Sequence, residues 1–327
     1  MAFWNRRAAA GLGAALLSTL ASDGASACSI CLAGDPQFSS SGSSAQEAGS
    51  LSFFAEFRAF SKTSGELPGD HAPDPAEPTP FEENESERLD LYLGWTPFDR
   101  WTLTLDLPVA FQEIAEFEGG MGTRSDLTGV GDLSLTAGLV VWRDRPVLPS
   151  RWIEARAFLK APTGESHEKV NGVADPHLQA GTGSFDFGFG LAGAQRFAWA
   201  SLYASAFYRE NLEGSLAYRY GDVVLANAAV ELPVGHALGL PWLEPLLPGF
   251  ELNFRTAERD CFQGQRFRDS GGSILYGTPS LRLRLPWLRP AKPPSLRLAA
   301  QIPLTQAWLN GFQTEGTVWS AGLLVPF

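Results

Sequence analysis

From Gly129 to Asn211 the chain alternates apolar and polar residues in successive runs of about ten positions: GVGDLSLTAGLVVWR, RWIEARAFLKAPTGE, GTGSFDFGFGLAGAQR and WASLYASAFYREN. Side chains leave a strand on opposite faces at successive residues, so a period of two means strands with two unlike faces. In the first run Leu133, Leu135, Ala137, Leu139 and Val141 are apolar, while Asp132, Ser134, Thr136 and Gly138 between them are small or polar. In the second, Ile153, Ala155, Ala157 and Leu159 alternate with Glu154, Arg156 and Lys160. A soluble β-sandwich buries its apolar face. An outer-membrane barrel turns that face to lipid and the charged face to a lumen.

The remainder of the chain favours the barrel. Further alternating strands are expected near Leu51–Lys62, Glu85–Thr96, Trp101–Gln112, Gly221–Leu232, Gly249–Glu258, Ser273–Leu285, Ser295–Thr305 and Thr314–Phe327, twelve in all with the four above. Charges sit on one face of nearly every strand, whereas a sandwich of this length would bury some strands on both sides. Short links (Pro97–Arg100, Asp144–Ser150, Phe197–Ala198) alternate with longer ones (Thr63–Asn84, Ile114–Thr128, Pro162–Thr182, Arg259–Gly272), as periplasmic turns alternate with outer loops in such barrels. The Pro233–Leu247 link breaks this trend by being long on the short side. Trp95, Trp101, Trp142, Trp152, Trp199 and Trp319 fall at strand ends, where an interfacial girdle belongs. The last strand, TVWSAGLLVPF, puts Trp319, Ala321, Leu323, Val325 and the terminal Phe327 on one face. It reads as a membrane-insertion signal for the barrel insertion machinery. It must also pair with the first strand, because an open edge is not tolerated in lipid. The fold expected is all-β: an antiparallel transmembrane β-barrel of about 12 strands, closed by a C-terminal Phe strand.

At the N-terminus Arg6 and Arg7 precede AAAGLGAALLSTLA and an Ala25-Ser26-Ala27 site, the pattern of a signal peptide cleaved after Ala27. Two arginines and Asp23 give residues 1–27 a charge of +1, so their removal takes the formal charge from −11 to −12. That charge disfavours nucleic acid as a partner. Residues 28–49 read as a flexible periplasmic segment, and 50–327 as the barrel. Cys28 and Cys31 open the segment as a CxxC pair. The residues leave open a local disulfide, a metal or partner-docking pair, or a lipid-modified Cys28; with Leu32 in place of His they do not form a haem attachment.

If the apolar faces meet lipid, the lumen is lined by Glu56, Asp90, Asp106, Asp132, Glu154, Asp186, Glu231 and Glu251, with Arg58, Arg88, Arg156, Lys160, Arg255, Arg282, Arg284 and Arg297. Eight charges of each sign imply weak ion selectivity. The Thr63–Asn84 loop holds five prolines, six acids and no Lys or Arg; it reads as a solvated surface loop, with an inward-folded gate as the sharper option. His71, His167 and His177, near Glu165 and Asp175, fit no closed metal motif. No Gly-x-Ser-x-Gly elbow occurs and no His lies in an expected strand, so neither catalytic residues nor cofactors are assigned.

One resemblance spans about a quarter of the chain. The order Gly129-Val130-Gly131-Asp132-Leu133, Pro162-Thr163-Gly164, Gly181-Thr182-Gly183-Ser184-Phe185-Asp186 resembles the outer-membrane transporter family named for the meta-pathway of phenol degradation, with its G-x-G-D-L, P-T-G and G-T-G-x-x-D elements. The resemblance implies a membrane barrel proposed to pass small, often hydrophobic or aromatic, compounds, and leaves the solute open. Together these readings predict a cell-outer-membrane channel passing a small solute by passive diffusion. The alternative is a structural barrel docking a periplasmic partner through the CxxC segment.

Overall fold

In the computed structural model, which describes residues 48–64, 81–118, 121–169, 178–266, 270–289, 291–310 and 314–327, the alternating runs pair antiparallel into one closed twelve-stranded barrel. In chain order its elements are β1 (Leu51–Ser64), β2 (Phe81–Trp95), β3 (Trp101–Glu118), β4 (Met121–Val130), β5 (Ser134–Arg143), β6 (Arg151–Lys160), β7 (Asp186–Arg196), β8 (Ser201–Asn211) and β9 (Tyr218–Arg219). There follow β10 (Val223–Glu231), the single-turn helix α1 (Val234–Leu238), β11 (Leu246–Ala257), β12 (Cys261–Phe262), β13 (Gln265–Arg266), β14 (Gly272–Arg284), β15 (Ser295–Leu309), β16 (Thr314–Glu315) and β17 (Val318–Pro326). Each barrel strand pairs with its neighbour in sequence, while β9, β12 and β13 form a small separate sheet. Two positions in the ring are shared. β5 pairs with the first half of β3 and β4 with the second. β17 and β16 likewise divide the far edge of β1. The ring closes where β17 meets β1, from Ser52 opposite Pro326 to Ala59 opposite Trp319. The Phe327 amide then donates to the Leu51 carbonyl at 2.8 Å.

The two faces sort as their chemistry requires. In β6 the odd positions Ile153, Ala157 and Leu159 are exposed, and the even positions Trp152, Glu154, Arg156, Phe158 and Lys160 are buried. Leu93, Leu105, Leu135, Leu191, Leu202, Phe250, Leu298 and Leu323 are exposed on the strands, so the outer surface carries an apolar belt. A sheet one layer thick has only one sheltered side once it closes, and that side is the interior.

Several expectations change. Residues 114–128 are not a loop: β3 continues to Glu118 and turns directly into β4. The inward Ile114 and Leu127 pack against Leu178 there. The outward positions are Glu113 and Arg124, which form an ion pair beyond the apolar belt, and this polarity gave the stretch its loop-like composition. The run expected as one strand from Gly129 is two strands, broken at Gly131–Leu133. The long Pro233–Leu247 link owes its length to α1, capped by Gly239 at φ +67°, and to a 3₁₀ turn at Pro241–Leu243. Trp152 is not a girdle residue. It is 2% exposed, points inward, and has the Arg196 guanidinium 4.8 Å from its ring centre. Trp95, Trp101, Trp142, Trp199 and Trp319 are exposed at strand ends. The segment 1–47, with Cys28 and Cys31, and residues 65–80 lie outside the described residues.

The barrel interior as candidate site

Of the sixteen charged residues expected to line the lumen, all are buried except Arg88, Glu231, Arg282, Arg284 and Arg297. Arg284 is the outlier. It lies at the turn end of β14, exposed, and donates to the Glu244 carbonyl at 2.8 Å. Burial of so many ions requires that they satisfy one another, and they do so in distinct groups.

The first group joins the glycine-containing segments. Lys160 Nζ lies 2.9 Å from Asp132 Oδ2 and 2.8 Å from Asp186 Oδ2. The Gly164 amide donates to Asp132 Oδ1 at 3.0 Å, and the Thr182 amide and hydroxyl each donate to Oδ2 at 2.8 Å. The Leu133 amide donates to Thr163 Oγ1 at 2.8 Å, and Ser184 Oγ to Asp186 Oδ1 at 2.8 Å. Three stretches distant in sequence thus converge on one carboxylate where β4 gives way to β5. The convergence needs glycine. A Cβ on Gly164 would stand 2.6 Å from the Gly131 carbonyl carbon, and one on Gly181 would stand 2.7 Å from Asp132 Oδ1 and 2.8 Å from Gly164.

Beside this junction, toward the loop end, lies a cavity of about 120 Å³. Phe60, Phe158 and Tyr220 give it aromatic walls; Arg88, Lys160 and Arg209 with Glu87, Asp106 and Asp132 give it balanced charge; Gln112 and Gln179 add amides. Phe158 belongs to a buried interior cluster with Phe207, Val223, Leu225 and Ala257. Sequence reasoning missed these apolar inward residues, although Phe158 shares the parity of Arg156 and Lys160 and could have been found by it.

Nearer the turn end the interior is filled by an alternating chain of charges. Arg88 reaches Asp106 at 3.9 Å and Asp90 more closely; Arg58 Nε donates to Asp90 at 3.1 Å and stands 3.9 Å from Glu56. Arg297 then bonds Glu56 at 3.2 Å with one terminal nitrogen and Glu251 at 3.1 Å with the other. From Glu251 the contacts continue through Asn253 (3.4 Å), Asn227 (2.8 Å) and Ser205 (3.1 Å). Asp90 is 0% and Glu56 1% exposed, so these two carboxylates are shut off from water. On their turn side remains a void of about 10 Å³ bordered by Tyr203, Glu231, Glu251, Arg282 and Arg297. Elsewhere Glu154 pairs with Arg156 at 3.1 Å and accepts from Thr102, Arg282 pairs with Glu231 at 2.6 Å, and Arg255 pairs with Glu315 at 2.7 Å beside Tyr276. Glu315 lies in β16, outside any regular alternation, and so carried no signal in the sequence.

Neither described histidine belongs to the charge groups of the interior. His167 is exposed and His236 lies in α1; His71 and His177, with Asp175, lie outside the described residues. Among the described residues no three His, Cys, Asp or Glu side chains come together in a way that could hold a metal ion.

The chain matches no protein-family model and no curated protein. It is similar in fold to the solved COG4313 outer membrane channel from Pseudomonas putida F1, with a TM-score of 0.60 at 17% identity, covering 86% of this chain and 97% of that one. Weaker likenesses include a Pseudomonas aeruginosa FadL homologue (TM-score 0.42, 11% identity, 90% and 95% covered) and the β domain of the Bordetella autotransporter BrkA (0.44, 10%, 86% and 100%). The fold is therefore that of an outer-membrane-type antiparallel β-barrel.

Proposed function

We propose that this protein is an outer-membrane channel that passes a small solute by passive diffusion, of the kind the phenol meta-pathway resemblance implies. The observation that carries the reading is the cavity of about 120 Å³ inside the ring. A cavity of ~150 Å³ is known to hold one benzene, so this somewhat smaller space is of the size of one small ring and no more. Its aromatic walls would contact the ring, and its amides and paired charges would bind a hydroxyl. Balanced charge at the lining argues against a strong preference for either ion sign. The likeness to an outer membrane channel at a TM-score of 0.60 supports the same location and class. We assign the protein no catalytic role.

The test is solute entry into proteoliposomes holding the refolded chain from Cys28 to Phe327. Uptake of a neutral single-ring solute well above protein-free vesicles is the expected result. Uptake equal to empty vesicles would overturn the reading. A second reading, a structural barrel, is favoured by one specific observation: Asp90, Arg58 and Glu56 are buried on the inner face of the barrel. Its proposed docking element, Cys28 and Cys31, would then be the working end, and Cys31→Ser would abolish capture of a periplasmic partner while leaving uptake unchanged.

A further inference from the structure

The cavity and the small void both lie inside one barrel, yet they do not share their floor. Arg88 and Asp106 border the cavity, and Arg297 and Glu251 border the void. Between them stand Asp90, Arg58 and Glu56, which water does not reach from either side. The line runs from strand to strand around the inner wall, and a passage from one end of the barrel to the other must pass these buried charges.

Arg297 holds the line together. It sits on β15, yet its guanidinium bonds Glu56 on β1, across β17, and Glu251 on β11, across β14. It alone among the contacts described joins the Asp106–Glu56 arm to the Glu251–Ser205 arm. A planar fork with several donors suits this task, because two terminal nitrogens can serve two carboxylates at once. Its side chain is also the most accessible of the middle members, at 12% against 4% for Arg58 and 1% for Glu56, and that exposure is toward the turn-end void. The arms on either side are anchored to neighbouring strands and held by several bonds each. The Arg297 fork is where the line can part without unfolding the wall.

We propose that the charged line is a septum that keeps the barrel shut to ions at rest, and that Arg297 is its latch. This rests on the channel reading and adds its regulation: a solute gathered in the cavity passes only when the Arg297 fork lets go of Glu56 or Glu251. A septum of ion pairs also closes without a mobile plug, since swinging one side chain suffices to open it.

The experiment is planar-bilayer conductance of the whole mature chain, with folding checked by heat-modifiable gel migration. The wild type is expected to be silent or to open rarely. Arg297→Ala is expected to give steady ohmic steps, with open time raised at least tenfold. Because that variant takes away the cation that two buried carboxylates share and can fail to fold, the triple variant Arg297→Met, Glu56→Gln, Glu251→Gln serves beside it and is expected to show the same gain. Arg297→Lys, which keeps the charge but not the fork, should fall between. Steady ohmic steps from folded wild type, unchanged in the variants, would overturn the septum. So would silence from both folded variants. Either outcome leaves the channel reading to its own test, solute uptake into proteoliposomes.

Discussion

Asp132 shows what one residue does here. Its carboxylate accepts from Lys160, Thr182 and Gly164, so removing its charge leaves a buried ammonium with only Asp186 as ionic partner. Breaking one partner out of a buried pair costs about 3–5 kcal/mol. Asp132→Asn keeps part of the hydrogen bonding, and we expect a loss of about half that range, read as a lower temperature for the folded-to-unfolded gel transition. Gly164→Ala should be at least as damaging, because its Cβ meets backbone rather than a side chain that can turn away. A milder case lies at the turn end. Arg143 donates to both oxygens of Asp99, at 2.9 and 2.7 Å, and holds that carboxyl below its ordinary value. A depressed folded value means the pair stabilises at pH above about 4 and loses its effect as pH falls through the folded value. Asp99→Asn should therefore lower the unfolding temperature slightly at pH 7 and not at all near pH 2. A difference that persists at pH 2 would show that the pair acts through something other than charge.

At the scale of elements, the closing strand carries the clearest expectation. β17 supplies the hydrogen bonds that β1 would otherwise leave open, and unpaired backbone is costly in lipid. Trp319 and Leu323 are exposed on its outer face, and Phe327 is half exposed with Arg289 5.7 Å from its ring centre. We expect deletion of Phe327 to lower the amount of barrel assembled in the outer membrane severalfold, while detergent-refolded protein keeps its strand content. Equal assembly of the two chains would remove the terminal residue from the insertion signal. The β3–β4 hairpin makes the converse point. Its outward charges and inward Ile114 and Leu127 keep the strand period beyond the apolar belt, so it extends the wall rather than looping over it.

For the whole molecule, charge balance and closure set behaviour. The interior pairs acids with bases across strands, so any pore opened through it should discriminate weakly between small cations and anions. Reversal potentials of the Arg297→Ala pore under a tenfold salt gradient should stay well short of the roughly 60 mV of an ideally selective one. A value near that limit would mean that one sign of charge governs the path.

Much of this was written locally. The period-two pattern marked most of the strands and their faces, though not β4, because side-chain direction in a strand depends only on position along it. The same pattern placed Glu154, Arg156 and Lys160 on the inner face from residue parity alone. Other features needed the folded chain. Parity says which face a charge takes but not its height or its partner, so Arg297 reaching two non-adjacent strands had no local sign. Trp152 read as a girdle residue because strand ends and aromatics suggest an interface, while its even position already put it inward. The junction at Asp132 depended on three segments meeting, and only closure of the ring brings them within hydrogen-bond reach. Sequence alone determined a barrel with an apolar outside and a charged inside. Whether that inside is open, and where it is barred, was decided by long-range packing, since pairing energies act between strands that the chain's order never places side by side.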